Sequence, residues 1–189
     1  MRVLIAEDEA LIRMDLREML EEEGHEVVGE ARDGAEAIAL ARSARPDIVF
    51  MDVKMPNVDG IAAARTISAE SIAPVVMLTA FSQASLVEEA AKAGAMGYVV
   101  KPFSRNDLVP AMQVAASRYA ELAALEHQVG DLNERLETRK LRDRAKGILM
   151  DAGLTEPEAF KRLQKLAMDT RKSLREVAEA LITAEELKR

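Results

Sequence analysis

Residues 48–60 have the sequence IVFMDVKMPNVDG, in which Asp52 follows four apolar residues directly. A short apolar run that ends at turn-forming residues is typical of a strand buried in a parallel sheet. An acid at the end of such a strand has two interpretations. It ends the strand as a turn former, or it lies in a crevice where chemistry takes place. The segments around it decide between the two.

Short apolar runs of this kind recur along the first two thirds of the chain, and helical patterns separate them. The runs are rich in Val and Ile and lie at residues 3–6, 27–29, 47–52, 74–80 and 97–100. Two of the helical patterns carry pairs with capping-box spacing, Asp33 with Glu36 and Ser85 with Glu88. Strands that alternate with helices in this way form right-handed βαβ units. The sequence therefore predicts an α/β domain over residues 1–121, with a doubly wound, five-stranded parallel sheet.

A long helical pattern follows, and it predicts a helical or coiled-coil linker around residues 104–138. Its apolar positions recur every three or four residues, with one break in heptad phase near residue 122: Leu108, Met112, Ala115, Tyr119, Leu122, Leu125, Val129, Leu132 and Leu136. Two interpretations stay open. The helix packs on its own sheet and then on its own C-terminal helices, or its second half forms an intermolecular coiled coil.

The last part of the chain carries helical signals and predicts a small all-α domain of three helices over residues 122–189. Capping boxes at 155–158 and 173–176 begin two helices, and the first helix continues the linker. Phe160, Met150 and Met168 are expected in its core.

Composition excludes several kinds of site. The 189 residues contain no Cys and two His, which excludes disulfides, thiolate nucleophiles and zinc–thiolate sites. No apolar run is long enough to span a bilayer, and no secretory signal pattern is present. We therefore expect a cytoplasmic protein that does not associate with membranes.

Charge is distributed unevenly along the chain. Residues 1–130 hold 12 Lys and Arg against 21 Asp and Glu, whereas residues 139–175 hold 11 against 5. This split favours an acidic module joined to one that meets a polyanion. The alternative is two ordinary solvated surfaces.

Polar residues stand at the carboxyl ends of four predicted strands: Glu7 and Asp8, Asp52, Thr79 and Lys101. In an open parallel sheet, ligands bind at this edge. Three carboxylates that lie close together repel one another unless a cation holds them, and Mg²⁺ is the hard dication that prefers oxygen ligands. Mg²⁺ beside a reactive carboxylate predicts phosphoryl transfer to an aspartate. A hydroxyl and an amine then hold the phosphoryl oxygens.

The segments LIAEDE, MDVKMPNVDG, LTAF and GYVVKPF make residues 1 to about 120 resemble the receiver domain of response regulators, which has a flavodoxin-like fold. The resemblance implies that Asp52 is phosphorylated by a sensor histidine kinase. It also implies that Mg²⁺ is held by Glu7, Asp8, Asp52 and the backbone carbonyl of Lys54. Many receivers have Asp where this chain has Glu7, a common variant.

The same resemblance assigns the remaining pocket residues. Thr79 and Lys101 bind phosphoryl oxygens, and Tyr98 is the aromatic residue whose rotation accompanies the movement of Thr79. The bond between Lys101 and Pro102 is expected to be cis. A receiver is not an enzyme in its own right, and self-dephosphorylation is the most that it catalyses.

Residues 142–150, 158–168 and 174–182 resemble the ANTAR domain of antitermination regulators, with RDRAKGILM as the most characteristic segment. The whole chain resembles the phosphorylation-dependent antitermination regulators of actinobacteria. The resemblance implies binding to paired RNA hairpins in leader transcripts, and we expect phosphorylation to promote a homodimer that presents two RNA-binding modules. The candidate RNA-binding residues are Arg139, Lys140, Arg142, Arg144, Lys146, Gly147, Lys161, Arg162 and Lys165, with further basic residues at Arg171, Lys172 and Arg175.

Two other functions use the same residues. In the first, the output module binds DNA and places one helix in the major groove. In the second, the first domain is an Mg²⁺-dependent phosphohydrolase, which needs a substrate cap and a second acid near the nucleophile. Neither feature is visible in the sequence.

Overall fold

The structure is a computed structural model that describes residues 1–80 and 84–187, without the side chains of residues 84–86 and 131. Phe81 of the LTAF segment and the predicted capping side chain of Ser85 lie outside the described residues. The chain divides into two compact units, Met1–Ala123 and Ala124–Arg189.

A five-stranded parallel sheet forms the centre of the first unit, counted over the described residues. The strands are β1 (Arg2–Ala6), β2 (Glu26–Ala31), β3 (Ile48–Asp52), β4 (Val75–Thr79) and β5 (Gly97–Val100). Their spatial order is β2-β1-β3-β4-β5, with every neighbouring pair parallel. The chain moves outward from β1 in both directions, so the strand order reverses between β1 and β3. The predicted doubly wound sheet is confirmed.

Helices cover both faces of this sheet. They are α1 (Ala10–Glu22), α2 (Gly34–Ala44), α3 (Gly60–Ala69), α4 (Ala84–Lys92) and the start of α5 (Arg105–Asp151). Met51 packs with residues of α2 and α3 on one face, whereas Phe50 packs with α1 and α5 on the other. Because alternate residues of a strand point to opposite faces, both faces need apolar side chains. This explains why the strands have continuous apolar sequences.

The helix α5 extends over 47 residues. Near its start, Leu108, Met112 and Ala115 are buried against the sheet. The apolar residues after the predicted phase break are about half exposed: Leu122, Leu125, Val129, Leu132 and Leu136. The first part of the helix therefore packs on its own sheet. The second part leaves an apolar stripe exposed, which keeps the coiled-coil interpretation open.

The second unit packs α6 (Glu156–Thr170) and α7 (Leu174–Glu186) with the end of α5. Its core contains Ala145, Leu163, Val177, Ala178 and Ile182. The prediction that Met168 lies in the core is wrong, because Met168 is 79% exposed. Ala167 packs on the core, and the next residue along a helix is rotated by about 100° away from that face. Met150 is also exposed, and Phe160 is half-buried with the guanidinium of Arg142 6.0 Å from its ring centre.

Ser173 caps the start of α7, and its loss should weaken that helix. Its hydroxyl accepts a hydrogen bond from the backbone N–H of Glu176 at 3.2 Å, and its own N–H donates to the Glu176 carboxylate at 2.8 Å. We expect Ser173→Ala to cost about 1 kcal/mol of local stability. Hydrogen exchange of α7 amides measures this cost. Thr183→Ala, on the exposed side of the same helix, is the control and should change exchange much less.

Candidate phosphoryl-acceptor site

The carboxyl ends of β1 and β3 bring three acids together. Glu7 and Asp8 directly follow β1, and Asp52 is the last residue of β3. One carboxylate oxygen from each lies within 4.8 Å of the others. Glu7 is completely buried and Asp52 is 7% exposed, whereas Asp8 is exposed. The predicted acidic cluster therefore exists, and one side of it is open to solvent.

Lys101 reaches into this cluster from the end of β5. Its ammonium Nζ lies 2.5 Å from Glu7 Oε2 and 2.8 Å from Asp52 Oδ1. Thr79, the last residue of β4, is buried, and its carbonyl accepts the backbone N–H of Lys101 at 2.7 Å. Thr79 and Lys101 line a cleft of about 170 Å³ with Asp8 and Asp52. The Lys101–Pro102 bond is cis, as predicted.

The loop after β3 holds Asp52 tightly. Asp52 Oδ2 accepts the backbone N–H of Lys54 at 3.2 Å, and the N–H of Gly60 donates to the carbonyl of Val53 at 3.0 Å. A Cβ atom at residue 60 would lie 1.8 Å from the Asp52 carbonyl oxygen. Real Cβ atoms do not approach a backbone oxygen this closely, so residue 60 must be Gly here. Gly60 carries no predicted role in the sequence, because the oxygen that demands it belongs to Asp52.

Arg13 of α1 is the buried polar residue near this pocket that the sequence analysis missed. It is 8% exposed, and its Nη1 donates to the backbone carbonyl of Glu7 at 2.6 Å. A longer contact of 3.4 Å joins Nη1 to the carbonyl of Asp8, and Nε donates to Glu30 Oε2 at 3.1 Å. Arg13 thus holds the backbone that carries both acids. Its position in a helix gives no sequence signal for this contact, because Glu30 lies in β2.

Burial and charge set the ionisation of the pocket. Burial raises the pKa of Glu7, and the negative charge of Asp52 adds to this, against the opposing effect of Lys101. Burial by itself lowers the pKa of Lys101, but hydrogen bonds and charges from Asp52 and Glu7 outweigh it, so the net shift is upward. Glu7 and Asp52 therefore share the ammonium of Lys101 while Asp8 adds a third carboxylate to the cluster, and a further cation is favoured.

The residues fit Mg²⁺. The ion takes oxygen ligands and keeps several waters, and here three carboxylate oxygens lie close together beside an open cleft. Glu7, Asp8 and Asp52 would hold it, and the backbone carbonyl of Lys54 is the fourth predicted ligand.

We expect Mg²⁺ to stabilise the first unit by about 2.7 kcal/mol at 100 times its Kd. The gain should shrink as pH falls, because a proton competes with the metal for each carboxylate. The raised pKa of Glu7 moves this competition to a higher pH than for an exposed glutamate. Without Mg²⁺ the pH dependence of stability has the opposite direction. The pKa of Glu7 is higher in the folded than in the unfolded state, so Glu7 stabilises the fold less as pH increases from the unfolded pKa to the folded pKa.

Thermal unfolding with and without Mg²⁺, from about pH 7 to about pH 4, measures both effects. Glu7→Gln is the control, because its amide does not titrate. A Mg²⁺ gain that stays constant over this range in the unmodified protein would contradict the assignment of Glu7.

The predicted switch residues lie beside the pocket. Tyr98 of β5 is 51% exposed, and it lines a small cavity of about 10 Å³ together with Thr79 and Val87. An exposed ring next to a buried hydroxyl is compatible with coupled movement of the two side chains. The role of Tyr98 stays a prediction.

The candidate RNA-binding residues fall into two groups. The basic candidates at 139–146 of α5 have acidic partners within the second unit, with Lys146 Nζ 2.8 Å from Glu156 as one example. Lys161, Arg162 and Lys165 of α6 are exposed. Gly147 faces open space, since a Cβ atom there would meet nothing within 4 Å. Close packing by a neighbouring helix therefore does not explain this glycine.

Comparison with known proteins agrees with both resemblances. The response regulator receiver domain matches residues 3–113, and the ANTAR domain matches residues 130–182. The chain is 62% identical over 182 residues to the transcriptional regulatory protein PdtaR of Mycobacterium tuberculosis, covering 96% of this chain and 89% of that protein. It is 41% identical over 112 residues to the chemotaxis protein CheY of Thermotoga maritima, covering 59% of this chain and 93% of CheY.

Solved receiver domains share the fold of the first unit. The signal receiver domain of NarL from Mycobacterium tuberculosis has a TM-score of 0.59 and 31% identity, covering 61% of this chain and 95% of that one. The receiver domain of the histidine kinase PA1611 from Pseudomonas aeruginosa has a TM-score of 0.56 and 30% identity, covering 61% and 97%. In that structure a magnesium ion is coordinated in the active site cleft. Among the described residues of the present chain, none of the helices is long and apolar enough to cross a membrane.

Proposed function

Because the chain belongs to the response regulators that join a receiver domain to an ANTAR domain, we propose that a sensor histidine kinase phosphorylates it on Asp52 and so controls its binding to RNA. The observation that carries this proposal is the pocket itself. Asp52 is nearly buried at the end of β3, next to Glu7 and Asp8, with the Lys101 ammonium 2.8 Å from its Oδ1. We keep residues 1–121 and 122–189 as the proposed receiver and output domains.

The proposed reaction is a phosphoryl transfer to a carboxylate. A carboxylate oxygen of Asp52 attacks the phosphorus of a phosphohistidine, forming a P–O bond. The P–N bond breaks, and its electron pair stays on the imidazole nitrogen, which takes up a proton from water. Lys101 moves from pairing with Asp52 to pairing with a phosphoryl oxygen, and the hydroxyl of Thr79 donates to another.

Bound Mg²⁺ supplies positive charge that neutralises the oxygens of the transferring group. Residues of the chain hold the acids of the pocket in position. Arg13 holds the backbone carbonyls of Glu7 and Asp8, and Gly60 permits the close packing that fixes Asp52. The acceptor carboxylate therefore needs little rearrangement before the reaction.

Phosphorylation must shift an equilibrium between two states that contact the phosphoryl group differently. Thr79 moves toward the new phosphoryl oxygen, and Tyr98 turns toward the space that Thr79 leaves. The exposed face around Tyr98 is then the surface that differs between the two states. The catalytic role of the chain is limited to accepting the phosphoryl group and to losing it by self-dephosphorylation.

The chain is a response regulator whose ANTAR domain implies an RNA-binding, antitermination output. We propose that it binds paired hairpins in leader transcripts and prevents a terminator from forming. A dimer presents two RNA-binding modules, and linkage of two weak sites raises the overall affinity. The exposed apolar stripe from Leu122 to Leu136 supports a homodimer that phosphorylation favours.

The test measures RNA binding and mass in solution together. A library of tandem RNA hairpins with randomised loops is first selected on the protein in the presence of acetyl phosphate and Mg²⁺. The selected RNA is then titrated with and without the phosphoryl donor, and light scattering gives the mass in each state. We expect tighter binding and a dimer only with the donor. Equal binding and equal mass in both conditions would overturn the switch.

Duplex DNA carrying the same stem sequence is the competitor that tests the alternative DNA-binding output. We expect it to displace the hairpin RNA poorly, because specific RNA recognition targets unstacked loop bases that a duplex lacks. Displacement at equal concentrations would favour the DNA-binding alternative.

A further inference from the structure

We infer that the RNA phosphates contact the outer face of α6 and the turn after it, and not the basic run of α5. This face, the α6 basic surface, consists of Lys161, Arg162, Lys165, Arg171 and Lys172. The inference rests on the proposed RNA-binding function and specifies the surface that performs it. It follows from how each basic residue is paired within the second unit.

Acids of the same unit pair with the candidate basic residues at 139–146 of α5, and Asp143 is shared by three of them. Lys146 pairs with Asp143 at 3.2 Å and with Glu156 at 2.8 Å, and its side chain is 17% exposed. Arg144 pairs with Glu186 at 2.6 Å. The remaining pairs are Arg139 with Asp143, Lys140 with Glu137, and Arg142 with Asp143. A phosphate would have to displace a carboxylate from each of these cations.

The residues of the α6 basic surface lack such close ion pairs. Its residues are exposed, and none of them has a carboxylate of the described residues within ion-pair distance of 4.0 Å. Asp169 is the nearest acid in sequence to Lys165, Arg171 and Lys172, and it forms no ion pair with them within 4.0 Å. The acids on either side of this segment, Glu158 and Glu176, cap helices. Glu158 accepts from the backbone N–H and hydroxyl of Thr155, and Glu176 accepts from those of Ser173. The charges of Lys161 and Lys172 act on Glu158 and Glu176 without a close ion pair. An external anion that meets the α6 basic surface therefore has no paired carboxylate to displace.

Three residues of the surface share one face of α6. Lys161, Lys165 and Met168 are separated by four and three residues, which is the spacing of one helix face, and Arg171 and Lys172 follow in the turn after the helix. Met168 is 79% exposed on this face. One acid, Asp169, lies within residues 161–172 against five basic residues, which leaves a net charge of +4.

Arg171 adds a feature of its own. It ends α6 in the left-handed conformation, with φ of 55°, where Gly is the usual residue. An Arg at this position keeps a cation at the turn despite its conformational cost. Next to it, Met168 offers an apolar surface for a base that leaves the stack. A basic face with an exposed apolar residue fits a hairpin whose stem phosphates and loop base bind together.

The test compares two triple variants with the same change in charge. Lys161→Gln, Arg162→Gln and Lys165→Gln alter the α6 basic surface, and Arg139→Gln, Lys140→Gln and Arg144→Gln alter the α5 run. The probe is the selected tandem-hairpin RNA, and Kd is measured at several KCl concentrations. Each lost phosphate contact lowers the slope of log Kd against log salt by about 1. We expect the α6 variant to lose two to three units of slope and roughly tenfold to thirtyfold in affinity.

The α5 variant should stay within about threefold of the unmodified protein, because its cations are already paired. Equal losses in both variants, or a larger loss in the α5 variant, overturn the inference. A charge-keeping variant, Lys161→Arg with Lys165→Arg, should retain the slope. A different result would contradict the proposed function itself. In that case the unmodified protein binds no hairpin RNA, with or without the phosphoryl donor.

Lysine acetylation of the unmodified protein gives a readout that does not depend on how the variants fold. Bound RNA should protect Lys161 and Lys165 and leave Lys140 reactive, since the Lys140 side chain is 72% exposed. Protection of Lys140 without protection of Lys161 overturns the inference.

Discussion

Asp52→Asn is expected to abolish phosphorylation of the protein by acetyl phosphate and Mg²⁺. An amide does not attack phosphorus as a carboxylate does, and it carries no charge for the metal. The change is nearly isosteric, and Lys101 keeps its contact of 2.5 Å with Glu7. The fold should therefore survive while the reaction stops. Intact-mass spectrometry detects the phosphoryl group, and the same samples show whether tighter RNA binding is lost with it.

The control for this change is Asp59→Asn. Asp59 belongs to the same loop, but its carboxylate caps α3 by accepting the N–H of Ala62 at 2.8 Å. Asn caps helices about as well as Asp, so this variant should be phosphorylated normally. Phosphorylation of the Asp52→Asn variant at the level of the unmodified protein would show that another residue is the acceptor. The proposed pocket would then be wrong.

Arg13→Met is expected to weaken Mg²⁺ binding by about 10–100-fold, although Arg13 is not a predicted ligand. The change removes the guanidinium that donates to the Glu7 carbonyl at 2.6 Å and leaves this buried oxygen without its donor. The acidic pair then loses its fixed backbone. An unsatisfied buried acceptor also costs about 1–3 kcal/mol of stability. Titration with Mg²⁺ followed by thermal unfolding measures both effects.

Arg17→Met is the control for Arg13→Met. It shows whether Mg²⁺ affinity depends on the contact of Arg13 with the Glu7 backbone or only on the positive charge of α1. Arg17 pairs with the same Glu30, at 2.5 Å, but its side chain is 48% exposed and its ion pairs are with Glu30 and Glu21. Both substitutions remove one positive charge from α1. We expect Arg17→Met to change the Mg²⁺ affinity by less than about threefold. If both variants weaken Mg²⁺ binding equally, the loss of affinity comes from the lost positive charge on α1. The contact of Arg13 with the Glu7 carbonyl then does not contribute to Mg²⁺ binding.

The sequence by itself determined the sheet and the position of its functional edge. Buried parallel strands need apolar residues on both faces, so their sequences are continuous apolar runs that are visible without a structure. Polar residues directly after such runs must lie at the carboxyl edge of the sheet. This pattern predicted the pocket residues, and the structure brings them together: Glu7, Asp8, Asp52, Thr79 and Lys101.

Only the tertiary structure decided which residues support that edge and which charges are free. The contact of Arg13 with Glu30 joins a helix to a strand, and the demand for Gly60 arises from the Asp52 carbonyl. Whether a basic residue is paired depends on distant acids, as for Arg144 with Glu186. Local periodicity reports which side of an element is apolar. It does not report which residue of another element faces it, because that is fixed by the packing of the whole unit.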